Sequence, residues 1–69
     1  MRDGQAINTR KPGDDLYEIL FTPKGEAEPI TVYVYAKSRL QASNTMILER
    51  IWGRQHEIRL HSSAAFLDK

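Results

Sequence analysis

His56 and His61 are the only two histidines in the chain, and they are the first side chains to test for chemistry. They stand five positions apart in "HEIRLHS", which alternates polar and apolar residues. A strand would place them on opposite faces, where they cannot share a metal. No third ligand stands at a metal-binding spacing, and there is no cysteine to supply a thiolate. Hydroxyl residues are present, but none lies in a G-x-S-x-G elbow. Asp14 and Asp15 flank a loop and are expected to stay solvated. Gly4, Gly13, Gly25 and Gly53 are scattered at turns and ends and form no phosphate-cradling loop. The sequence therefore predicts no catalytic residue, no metal and no cofactor. A 69-residue chain also has little room to bury a catalytic triad and shape a pocket.

The remaining chemistry is aromatic and basic. In "ITVYVYA", residues 30–36, Tyr33 and Tyr35 share one parity with Thr31, while Ile30, Val32, Val34 and Ala36 share the other. Tyrosines on a free sheet face, joined there by Glu57, Arg59 and His61 if the third strand neighbours the second, resemble in their physics the surfaces on which small domains stack single-stranded bases. A nucleic-acid reading would use Tyr33, Tyr35, Lys37, Arg54 and Arg59. The glycine- and aromatic-rich signature of RNA-binding sheets is missing, and tyrosine pairs commonly serve cross-strand packing. Formal net charge is only +1, from 10 basic and 9 acidic residues, which argues against a dedicated duplex-DNA binder. Residues 50–61 hold Arg50, Arg54, His56, Arg59 and His61 against Glu57 alone, which reads as a local basic patch or, in preference, as a solvated strand edge.

Three strands and a helix must position these groups. "LYEILFTP", residues 16–23, reads as a strand with Tyr17, Ile19 and Phe21 toward a core. "KGEAE", between Pro23 and Pro29, reads as a hairpin loop. The second strand is "ITVYVYA". "SRLQ" then fits a capping box, with Ser38 as N-cap and the Gln41 side chain reaching back to the Ser38 amide. The helix is predicted over residues 39–52, with Gly53 as the left-handed residue that ends it and Arg50 in its last turn. "HEIRLHS", residues 56–62, reads as a third strand with His56, Ile58 and Leu60 on one face. "SAAFLDK" reads as a helical turn whose Phe66 and Leu67 cover a core edge. The fold class is α+β: a β-β-α-β order, with a three-stranded sheet and one helix packed on one face. Residues 1–15 read as a flexible polar arm, and residues 16–69 as the single domain.

At about 100° per residue, Leu40, Ile47 and Ile51 cluster on the helix, Leu48 and Trp52 extend that stripe, and Asn44 falls inside it. This broad stripe is predicted to pack on the sheet. Ala42 and Met46 form a second, smaller apolar spot, which reads either as plain surface or cover for the C-terminal tail, or as a contact surface with Trp52 nearby. Met is adaptable and Trp is favoured at interface centres.

Sixty-nine residues without a disulfide make one small domain with a thin stability margin, one that gains from a partner or a second copy. The N-terminus has no apolar signal region, no segment is long enough to span a bilayer, and the chain reads as soluble and cytoplasmic. The sequence thus points to a non-enzymatic protein–protein interaction module: an adaptor, an inhibitor, or an accessory protein of the kind phages and plasmids encode. Tyr33, Tyr35, Met46 and Trp52 are its candidate partner-binding residues. RNA or single-stranded nucleic-acid binding is the alternative, and homodimerisation through a strand edge or the helix is compatible with both.

Overall fold

The computed structural model describes residues 6–69. Three strands and two helices follow in the order β1 (Asp15–Pro23), β2 (Ile30–Ala36), α1 (Arg39–Leu48), β3 (Gly53–Ser62) and α2 (Ala64–Leu67). The sheet order is β2-β1-β3, so the first strand is the central one. Both outer strands run antiparallel to β1 and hence parallel to each other. The expected β-β-α-β arrangement with a helix on one sheet face is present, extended by the single turn of α2.

Strand alternation sets the core as the sequence predicts. Tyr17, Ile19 and Phe21 of β1 and Val32, Val34 and Ala36 of β2 are buried on one face. Register pairs Tyr17 with Val34 and Ile19 with Val32, so ring and branched side chains sit side by side. Removing side chains such as Ile19 and Phe21 from water stabilises the fold by about 1.5–3 kcal/mol each. The hairpin between β1 and β2 closes through the Glu26 N–H, which donates to the Pro23 carbonyl at 3.0 Å.

Helix α1 covers this core with a different face from the one its periodicity predicts. Ala42 and Met46 are buried, whereas Leu40, Ile47 and Leu48 point to solvent. Both ends of the helix fix its rotation. At the start, the Ser38 hydroxyl accepts from the Gln41 N–H at 3.1 Å, two residues after the buried Ala36. The Gln41 side chain closes the box on the Lys37 amide rather than on that of Ser38. At the end, the Ile51 N–H donates to the Met46 carbonyl at 2.9 Å and the Arg50 N–H to the Ile47 carbonyl at 3.0 Å. These two bonds form a Schellman motif, and Ile51 packs against the core cluster that contains Met46. The small Ala42 lets the helix approach the sheet closely, and the flexible Met46 fills the space beside it.

The helix therefore stops at Leu48, four residues before the predicted end, and Arg50 takes the left-handed position with φ 59°. Gly53 is required for another reason. A Cβ there would lie 2.2 Å from the Thr22 carbonyl oxygen and 2.6 Å from the Phe21 ring. This glycine opens β3 where that strand crosses Phe21, so β3 is longer than predicted.

The segment read as a polar arm is tied to the sheet from Ala6 onward; residues 1–5 lie outside the described residues. Ala6 bridges Tyr33 in parallel, and the Ile7 N–H donates to the Tyr33 carbonyl at 2.9 Å. The Asn8 side-chain amide continues the ladder. Its Nδ2 donates to the Tyr35 carbonyl and its Oδ1 accepts from the Tyr35 N–H, both at 2.8 Å. A Pro12-Gly13 turn follows, with the Asp14 N–H donating to the Lys11 carbonyl at 3.0 Å and φ +88° at Gly13, as a type II turn requires.

Candidate interaction surfaces

The outer face of α1 is the most apolar exposed surface. Leu40 is 72% exposed, Leu48 79%, and Ile47 about half. Their positions i, i+7 and i+8 place them on one side, around Asn44, opposite the buried Ala42 and Met46. Trp52, 54% exposed, lies just beyond the helix, where its carbonyl accepts from the Lys24 N–H at 2.9 Å. Leu48 also borders a groove between α1 and the 8–14 segment, walled by Thr9, Lys11, Gln41 and Thr45. Of the expected contact residues on or near the helix, Trp52 is on the surface and Met46 is not. Met46 is fully buried, so it has no surface to offer a partner. Its spot takes the core role, and Leu40, Ile47 and Leu48 of the broad stripe face outward, while Ile51 of that stripe packs against the core.

The second surface is the open sheet face. Register places Tyr33, Glu18 and Arg59 in one row across the three strands, and Thr31, Leu20 and Glu57 in the next. Glu18, Leu20, Thr31, Glu57 and Arg59 line a shallow depression there. Arg59 Nε lies 3.3 Å from the Glu57 carboxylate. Tyr33 meets His61 edge-to-face at 5.5 Å and 89°, so the aromatic ring is already engaged.

Both histidines stand beside residues of this open face, whereas alternation predicts opposite faces. Register shifts in β3 opposite Leu16/Tyr17 and Leu20/Phe21 leave His61 and His56 as the extra residues of two bulges. His56 Nε2 then lies 2.7 Å from the hydroxyl of Thr22, and His61 Nδ1 3.0 Å from that of Ser62. Among the described residues no three His, Cys, Asp or Glu side chains gather as metal ligands.

The residues of the nucleic-acid reading are only partly brought together. Tyr33 and Arg59 share a row, and Arg54 is exposed opposite Thr22 at one end of β3. Tyr35 is half-buried opposite Leu16, its backbone held by Asn8. Lys37 lies off the face: its ammonium group sits 2.8 Å from the Asp14 carboxylate. Glu18 and Glu57 stand among the guanidinium groups, so this face lacks the positive excess that tracks a phosphate backbone.

An ionic clasp closes the end of the domain near α2. Arg10 Nη1 lies 2.7 Å from Asp68, the Gly13 N–H donates to Asp68 at 3.1 Å, and the Asp15 carboxylate accepts from the Ala64 N–H at 2.6 Å. Asp14 is buried, and its carboxyl titrates below the usual range, chiefly because of the Lys37 hydrogen bond. Asp68 is held low by Arg10. Burial pushes the Tyr17 phenol up. The clasp ties down the tail, yet Phe66 remains 68% exposed and covers no core edge; Leu67 is half-buried.

No protein-family model matches the chain, and no curated protein or solved structure matches it. Among the described residues, no helix is long and apolar enough to cross a membrane.

Proposed function

We propose that this protein is a cytoplasmic interaction module that acts by binding, not catalysis, and presents the outer face of α1 to an apolar groove on another protein. The observation that carries this reading is the helical stripe of Leu40, Ile47 and Leu48, with Trp52 beyond it, on the side of α1 that faces away from the core. Helix-in-groove recognition uses anchors at this spacing. Arg39 and Arg50 are exposed beside the stripe and supply a polar rim, while Asn44 lies within it. The helix is already held by its caps and its sheet contacts, so binding would need little further ordering.

The test is affinity capture from the native host with the wild-type chain, Leu40→Gln/Leu48→Gln, and Trp52→Ala. The double variant should keep the wild-type melting curve, and Trp52→Ala, which removes a half-buried ring, should melt somewhat lower yet stay folded at the assay temperature. The double variant should lose the captured protein, and Trp52→Ala should weaken its binding by at least ~2 kcal/mol. A captured protein that binds all three chains equally would refute the assignment of this face.

A further inference from the structure

We infer that the outer edge of β3 pairs antiparallel with β3 of a second copy, in a register centred on Ile58, to make one continuous six-stranded sheet.

The two sheet edges are treated differently. Residues 6–8 cover the outer edge of β2. The outer edge of β3, ten residues long, has no backbone partner among the described residues. A bare edge of this length is a template for another strand. The bulges at His56 and His61 bracket a regular run, Glu57–Leu60, which is the part able to pair.

The side chains of that run select one register. A one-residue slip exchanges the faces, so registers that set Glu57 against Ile58 place charge on the apolar side. Among face-matched registers, centring on Glu57 sets two carboxylates opposite each other, and centring on Arg59 sets two guanidinium groups opposite each other. Centring on Ile58 places Glu57 of each copy opposite Arg59 of the other, twice over, on the open face. The same two-fold brings Ile58 against its own copy on the helix side. Ile58 already packs at the margin of the core, and Leu60 is half exposed there. The pairing would thus extend the core across the junction and place both α1 helices on one side. Their outer faces remain free, so this inference is independent of the partner proposed for α1.

The test is the mass of the full-length chain by light scattering across a concentration series, for wild type, Glu57→Arg, Arg59→Glu, and an equimolar mixture of the two variants. The wild type should dimerise with rising concentration. Each variant alone sets like charges across the two-fold and should weaken association roughly tenfold. The mixture should recover it, because the Glu57→Arg chain then carries two guanidinium groups in the run and the Arg59→Glu chain carries two carboxylates opposite them. Recovery in the mixture also shows that both variants fold. A wild type that stays monomeric up to about 1 mM overturns the inference. So does a dimer that either variant leaves intact, or a mixture that does not regain wild-type association.

Discussion

Met46→Ala and Leu48→Ala are nearly the same truncation on one helix, and their effects should differ several-fold. Met46 is fully buried between α1 and the sheet, with Ile51 folded toward the same core. Replacing such a methionine by alanine costs about 2–5 kcal/mol, from lost transfer free energy and the cavity left behind. A domain of 69 residues has roughly 3–10 kcal/mol in total, at about 0.05–0.15 kcal/mol per residue. Even the lower cost lowers the melting temperature by about 8–16 °C at this size. Leu48 is 79% exposed, so alanine forfeits about a fifth of the leucine's transfer free energy, or about 0.3–0.6 kcal/mol. Alanine's better helix propensity offsets part of that. Urea unfolding followed by far-ultraviolet circular dichroism measures both. The midpoint should fall sharply for Met46→Ala and stay near wild type for Leu48→Ala and Leu40→Ala. A larger loss at Leu40 or Leu48 than at Met46 would refute the orientation of α1, and with it the exposed stripe.

Other consequences can be checked by the same unfolding measurements. Arg50 sits in the left-handed region at φ 59°, where a side chain costs about 1–2 kcal/mol; Arg50→Gly should therefore stabilise by roughly 0.5–1 kcal/mol after glycine's greater chain entropy, read as a higher urea midpoint. Asn8→Ala removes both bonds to the Tyr35 backbone and should cost about 1–3 kcal/mol, with faster amide exchange at Tyr35. Asp14 and Asp68 have lowered carboxyl pKa values in the folded chain, so their contribution is full above the unfolded carboxylate range, near pH 4, and disappears as pH falls through the folded values. Tyr17 is raised, so its contribution is present below the unfolded phenol pKa, near 10, and lost as pH rises through the folded value. Thermal melts from acid to alkaline pH should weaken at both ends, and Lys37→Met should flatten the acid limb.

The strands were legible because their residues alternate cleanly. Ile19, Phe21, Val32 and Val34 occupy the parity that the sequence assigns to the core. Ser38 was legible as a cap because the hydroxyl and the glutamine three residues on have a local partner. The face of α1 was not. Its larger apolar stripe looks like a core stripe, but periodicity counts side chains and does not weigh what fits: Ala42 and Met46 match the close approach set by Ala36 and Ile51. Nor could alternation place His56 and His61, because each bulge adds one residue and shifts the parity after it. Asn8 gave no periodic signal, since one side-chain amide stands in for a strand residue.

The outer face of α1 is the surface proposed to meet another protein. A photo-crosslinking residue placed at Leu48 in host cells tests that contact directly, with Glu26 in the exposed hairpin loop as the control position. Illumination should yield one defined protein adduct from position 48, none from position 26, and none from position 48 when Ile47→Asp is also present. Equal labelling from both positions, or an adduct from position 48 that Ile47→Asp leaves unchanged, would contradict it.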